Sequence, residues 1–196
     1  MNLPNKLTVV RIFLAPLFLL ILLWDFPFHH LCAGLIFGAA ALTDLFDGRI
    51  ARSQGLITNL GKFLDPLADK MLTTAAFLGF LAMGHLDVWA VMIILTREFL
   101  VTSVRLVAAK DGTVIAASFS GKAKTVAQFV SIVYMLAALE FNSWQYTLLA
   151  GVALPSAVYT GVLLVGRLLI WVAVILTVIS GFQYFWGYRQ YFTGDC

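Results

Sequence analysis

The sequence predicts an all-α polytopic membrane protein: six transmembrane helices with a short N-terminal interfacial helix. Three observations lead there. Mean hydropathy is +0.93, only 12% of the 196 residues are charged, and several apolar runs approach the ~20 residues that cross a bilayer. Those runs are continuously apolar rather than alternating, which argues against an outward-facing β-barrel. There is no internal repeat, low-complexity tract or long linker, so residues 1–196 are expected to form a single membrane domain. The first apolar run lacks a small-residue cleavage site and is expected to be retained. Cys32 and Cys196 are expected near opposite membrane faces, which argues against a disulfide or a thiol metal cluster.

In chain order, residues 2–10 read as the interfacial helix, with Leu3, Leu7 and Val10 on one face and Asn2, Asn5 and Lys6 on others. Pro4 suits its first turn. This segment is either a simple membrane-entry collar or one wall of a site bordered by Asn5, Thr8 and Arg11. Spans are expected at roughly 10–24, 31–50, 66–84, 88–109, 122–140 and 162–186. Residues 145–160, with Pro155, read as a re-entrant or surface-lying outer segment, with a seventh span as the alternative.

Charge sets the orientation, and its placement matters more than the net +3. Lys6, Arg49, Arg52, Lys62, Lys110, Lys122, Lys124 and Arg189 gather at one side. The connections of the other side carry Asp25, His29, His30, His85, Asp87 and Glu140, without Lys or Arg. Both termini and the acidic motif of this multi-pass protein are therefore expected to face the cytoplasm. Trp24, Trp89 and Trp144 mark the outer interface and Trp186 the inner. The three histidines fall on the outer loops and are expected to be interfacial, without a ligand role. Arg167, in the outer half of the last span, reads as snorkelling or structural.

Against this apolar background, Asp44, Asp47, Asp65 and Asp69 make up four of the ten acidic residues. Carboxylates in or near hydrocarbon cost several kcal/mol unless they meet cations. Asp44 and Asp47 are three apart at the cytoplasmic end of the second span, and Asp65 and Asp69 four apart at the start of the third. Each pair shares a helix face. Two facing helices then aim four oxygen-rich side chains at one point. Four ionised carboxylates within a few Å repel and raise one another's pKa, a conflict that a cation removes. Oxygen ligands without His or Cys favour Mg²⁺, Mn²⁺ or Ca²⁺ over zinc. Four of them can hold two divalent ions ~3.5–4 Å apart, the arrangement used for in-line displacement at phosphorus. Ion pairs with Arg49, Arg52, Lys62 and Lys70 would balance charge, but would not explain the small residues Gly48 and Ala51 among them. Those let a polar ligand approach the backbone, and Arg52 offers a planar fork for phosphate oxygens.

The pattern Asp44-x2-Asp47-Gly48-x2-Ala51-Arg52-x8-Gly61-x3-Asp65-x3-Asp69 resembles the full signature of the CDP-alcohol phosphatidyltransferases, with every position filled. Further stretches agree with a bacterial branch of that family: Asn2 to Arg11, Gly61 to Lys70, Arg97-Glu98 with Arg105, Gly121 to Thr125, and Ser180-Gly181-x2-Tyr184. The resemblance implies six transmembrane helices, a homodimer, and a Mg²⁺ or Mn²⁺ pair on Asp44, Asp47, Asp65 and Asp69. It implies transfer of the phosphatidyl group of CDP-diacylglycerol to glycerol 3-phosphate, with Asp69 as general base. Gly48, Ala51, Arg52, Asn5 and Thr8 would bind the CDP-lipid.

A phosphorylated acceptor needs a cationic pocket of its own, and Arg11, Arg97, Arg105, Lys122 and Lys124 are the candidates. Arg97 and Arg105 are eight residues, roughly two helical turns, apart. The alternatives are pairing of Arg97 within the bundle and, for the lysines, the positive-inside rule or contact with anionic lipid. Other acceptors, such as inositol phosphate, serine or phosphatidylglycerol, share the same core motif. A divalent-cation transporter is the alternative from another class. It predicts polar residues across the outer half of the spans, which here are nearly all apolar.

Overall fold

In hydrocarbon a backbone must satisfy its own hydrogen bonds, and each apolar run does so by becoming one helix. The helices are α1 (Leu3–Leu23), α2 (His29–Gln54), α3 (Asn59–Ala82), α4 (Val88–Lys110), α5 (Phe119–Trp144) and α6 (Ser156–Gly187). The computed structural model describes residues 3–54, 59–110, 118–144 and 155–187. Within these, the side chains of 3–7, 44–54, 59–67, 69, 107, 109 and 110 lie outside the description. There is no strand among the described residues. Two helices, Phe119–Trp144 and Ser156–Gly187, are long and apolar enough to cross a bilayer. Thr8–Leu23, His29–Thr43 and Lys70–Ala82 are shorter apolar stretches.

Three boundaries differ from the sequence expectation. The separate interfacial helix over 2–10 does not exist: α1 runs unbroken through Leu3–Leu23. A change from polar to apolar residues at Val10 interrupts no backbone hydrogen bond, so the helix continues through it and through Pro16 as well. At the other end, α6 starts at Ser156, so Ser156–Thr160 are its opening residues rather than an outer segment. Residues 145–154 lie outside the described residues. Finally, α3 starts at Asn59, which puts Pro66 beyond the first turn.

The α3–α4 turn follows from one glycine. Gly84 has φ +74°, its N–H donates to Leu81 O at 3.0 Å, and the His85 N–H donates to Phe80 O at 2.8 Å. This is a Schellman cap, whose left-handed residue favours glycine.

Packing centres on large side chains with essentially no exposure: Phe18, Leu22, Phe37, Phe77, Phe80, Ile132, Met135 and Ile170. Phe37 joins the halves of the bundle, its ring 5.8 Å from Phe18 of α1 and 5.0 Å from Phe129 of α5. Helices approach closely where side chains vanish. A Cβ on Gly79 would lie 2.5 Å from Leu22 Cδ2, and one on Gly166 3.1 Å from Met135 Sδ. This is how helices associate without a hydrophobic drive between them. The exterior stays apolar, with Phe13, Leu35, Trp89, Leu106, Val126, Phe182 and Trp186 all strongly exposed. Such a surface fits a lipid solvent rather than water.

α1 packs on α2 and α3, α5 on α2, α3 and α6, and α4 on α3 and α6. The helices alternate in direction, so one end of the bundle collects the N-termini of α1, α3 and α5 and the C-termini of α2, α4 and α6. The Asp44–Asp69 stretch belongs to that end.

Candidate active site

α2 carries Asp44 and Asp47 in its last turns, and α3 carries Asp65 and Asp69 near its start. Only residues 55–58 separate the two helices, so the helix ends bearing both pairs are neighbours. The side chains of these four aspartates, and of Asn5, Gly48, Ala51 and Arg52, lie outside the described residues. Ala68, one residue before Asp69, is fully buried. α1 supplies Thr8 and Arg11 to the same end, at 1% and 2% exposure.

Immediately after Asp69, the described side chains form a charged network. The Glu98 carboxylate of α4 accepts from Lys70 Nζ of α3 at 2.5 Å, from Lys124 Nζ of α5, and from Arg97 Nη1 at 3.2 Å. Arg97 Nη2 donates to Ser180 Oγ of α6 at 2.7 Å. Three helices thus meet at one carboxylate and α6 joins them through Arg97, and with Lys124 side chain 4% and Glu98 13% exposed the network is largely shut off from the surroundings. Two glycines make room for it. A Cβ on Gly181 would lie 3.1 Å from Arg97 Cγ, and one on Gly121 3.2 Å from Ser118 Oγ and 3.8 Å from Arg97 Nη2.

Two turns along α4, Arg105 donates from Nε to Tyr184 Oη at 3.3 Å, with its guanidinium 5.7 Å from the ring centre. Gln128 Nε2 reaches Thr177 Oγ1 at 3.4 Å, and that hydroxyl donates to Ala173 O at 2.6 Å.

Among the described residues, three cations therefore surround one carboxylate, a surplus of two positive charges. A buried surplus is costly unless an anion joins it. The structure brings Arg97 and Lys124 together, with Arg105 two turns away on the same helix. Lys122 is exposed at the start of α5. Arg11 is on a different wall: among the described residues α1 packs on α2 and α3 but not on α4, α5 or α6. Sequence reasoning gave no individual role to Glu98, Ser180 or Tyr184, and considered Lys70 only as a partner of the aspartates, whereas it pairs with Glu98. Glu98 carried a readable signal as the one acidic residue within α4, beside an arginine in an apolar stretch.

Two helix ends that carry aspartates thus adjoin a largely buried cationic cluster, chemistry suited to anionic groups. A model of the CDP-alcohol phosphatidyltransferase family matches residues 1–179, and the chain belongs to that family. It is 41% identical over 196 residues to the CDP-diacylglycerol–glycerol-3-phosphate 3-phosphatidyltransferase of Bacillus subtilis (strain 168), covering 94% of this chain and 93% of the relative. It is 34% identical over 191 residues to the Rickettsia bellii protein of the same name, with 97% of each covered. It is also 44% identical over 134 residues to a probable phosphatidylglycerophosphate synthase of Mycobacterium tuberculosis, covering 67% of this chain and 64% of that one.

Proposed function

We propose that this chain transfers the phosphatidyl group of CDP-diacylglycerol to glycerol 3-phosphate, giving phosphatidylglycerophosphate and CMP, on the cytoplasmic side of a bacterial inner membrane that it crosses six times as a homodimer. The observation that carries the reading is the unbroken aspartate signature on the adjoining ends of α2 and α3, one residue from Lys70 and its Glu98-centred cluster. The names of the relatives supply the substrates.

The donor set fits divalent cations: oxygen ligands only, on two helix ends joined by a short connection. Asp44, Asp47, Asp65 and Asp69 would hold Mg²⁺ or Mn²⁺, two per site, which neutralise the diphosphate and stabilise charge on departing CMP. Gly48, Ala51 and Arg52, with Asn5 and Thr8, hold the CDP portion. Asp69 takes the proton of the sn-1 hydroxyl as that oxygen bonds to the phosphorus bearing diacylglycerol, and the bond from this phosphorus to the CMP oxygen breaks. Arg97 and Lys124, fixed by Glu98 and Ser180, meet the acceptor's phosphate. Arg105 and Lys122 extend that positive wall, and Arg11 faces the site from α1. A groove of about 540 Å³ between α4 and α6, lined by Leu100, Val101, Val104, Val178, Phe182 and Phe185, opens beside Arg97 and Tyr184 and suits acyl chains.

The purified protein with Mg²⁺ or Mn²⁺ is expected to release CMP from CDP-diacylglycerol only when glycerol 3-phosphate is added. Release with none of a panel of acceptors that includes inositol phosphate and serine would overturn the enzyme reading, and release with another acceptor alone would replace glycerol 3-phosphate. Chelation of the metal is expected to abolish turnover. Asp69→Asn is expected to lower it by about 10²–10⁴, the range for loss of a general base, and near-normal turnover would remove Asp69 from that role.

A further inference from the structure

At the end of the bundle remote from the aspartates, a cavity of about 370 Å³ lies between the C-terminal end of α5 and the N-terminal end of α6, lined by Asn142, Ser156, Tyr159, Thr160, Leu163, Leu164 and Arg167. Its lining is arranged by depth. Ser156, Thr160, Leu163 and Arg167 recur at helical spacing down one face of α6, so hydroxyl-bearing residues stand at the mouth and the Cα of Arg167 lies roughly 16 Å further along the helix axis.

Two features point to a ligand. Arg167 is exposed and forms no ion pair among the described residues. Among the described Lys and Arg residues, it is the one that the helix directions place toward this end. A guanidinium in the outer half of a span is costly unless an anion or water reaches it. Tyr159, in turn, lines the cavity: its ring packs 5.6 Å from Phe141, and its hydroxyl, accessible there, makes no hydrogen bond among the described residues. The acids of this end are engaged or elsewhere: Glu140 accepts from Leu31 N–H at 3.0 Å and from the Trp144 indole at 2.8 Å. Among the described residues that line the cavity there is no carboxylate, and Arg167 is their single charge.

We propose that this cavity is a binding site for the headgroup of a phospholipid of net negative charge in the outer leaflet. The lipid phosphate meets the Arg167 guanidinium, which offers the fork suited to phosphate oxygens. The Tyr159 and Ser156 hydroxyls donate to the headgroup, and an acyl chain lies along Leu164 and the exposed Leu168. The assignment rests on the membrane orientation proposed above but on no part of the reaction.

The test is native mass spectrometry of the full chain, titrated with phosphatidylglycerol or with phosphatidylcholine of the same acyl chains. Wild type is expected to retain one tightly held phosphatidylglycerol that Arg167→Gln releases about tenfold more readily and Arg167→Lys partly restores. Phosphatidylcholine is expected to be retained equally weakly by all three. Tyr159→Phe, which keeps the ring, is expected to weaken retention severalfold, and it answers the question should Arg167→Gln not fold. CMP release by Arg167→Gln is expected to match wild type, so an inactive enzyme and an empty lipid site are separate results. Equal retention of phosphatidylglycerol by wild type and the variants, equal retention of both lipids by wild type, or displacement of the lipid by millimolar inorganic phosphate would each overturn the proposal.

Discussion

The decisive residue in the described part of the site is Glu98, because it converts three mutually repelling cations into one fixed surface. Lys70, Arg97 and Lys124 come from three helices, and without a shared counter-charge their repulsion would splay α3, α4 and α5. Ser180 refines this arrangement by holding the second arm of Arg97 at 2.7 Å. Hydrogen bonds to charged groups contribute about 1.5–3 kcal/mol, so Ser180→Ala is expected to raise KM for glycerol 3-phosphate by roughly tenfold or more. Turnover at saturation is expected to fall much less, and Ser180→Thr to recover most of the loss. Steady-state kinetics with both substrates varied in turn checks this, and an equal effect on CDP-diacylglycerol would place Arg97 at the donor instead. Arg105→Ala offers a parallel comparison: its guanidinium already rests on Tyr184, and its removal is expected to weaken use of glycerol 3-phosphate far more than binding of the CDP-lipid.

At the scale of helices, close approach decides where the charged side chains end up. Gly181 of α6 lets the stem of Arg97 pass with 3.1 Å between Arg97 Cγ and the place a Cβ would occupy. Gly181→Ala therefore forces a shift of a few tenths of an ångström at Arg97. The expected result is a folded protein with KM for glycerol 3-phosphate raised severalfold. Gly161→Ala, where a Cβ meets nothing within 4 Å, is expected to change nothing, and equal activity of the two variants would refute the steric argument. The same scale shows what the sequence made legible. The all-helical class followed from continuous apolar runs, and six helices are described where six spans were expected. Helix ends did not follow, because a polar-to-apolar boundary at Val10 or Thr160 is no hydrogen-bond boundary. The role of Glu98 was hidden for a related reason. Its lysine partners lie 28 and 26 residues away in sequence, and only the packing of α3, α4 and α5 selects them from the available cations.

Across the described residues the two ends differ: the end bearing the aspartates gathers three cations around one carboxylate, and the opposite end buries His30 beside Glu140. His30, expected to sit at the interface, is instead 7% exposed, its ring 3.8 Å from that of His29 and its Nδ1 3.9 Å from Glu140 Oε2. Neither ring nitrogen has a hydrogen-bond partner. Burial, reinforced by the neighbouring His29 and His85, lowers its pKa from 6.5 to about 4, and burial together with Arg167 also lowers that of His85. Between those two pH values the unfolded chain binds a proton at residue 30 that the folded chain does not. Stability from this group is therefore full above pH ~6.5 and is lost as pH falls toward ~4. For one proton the limit is about a tenfold change in the unfolding equilibrium per pH unit. His30→Gln is expected to flatten the acid limb of thermal stability in detergent between pH 6.5 and pH 4.5, leaving the response to added Mg²⁺ at the other end unchanged. An unaltered acid limb would mean that His30 is already protonated in the fold and paired with Glu140, which would make this end, like the end bearing the aspartates, a charged junction.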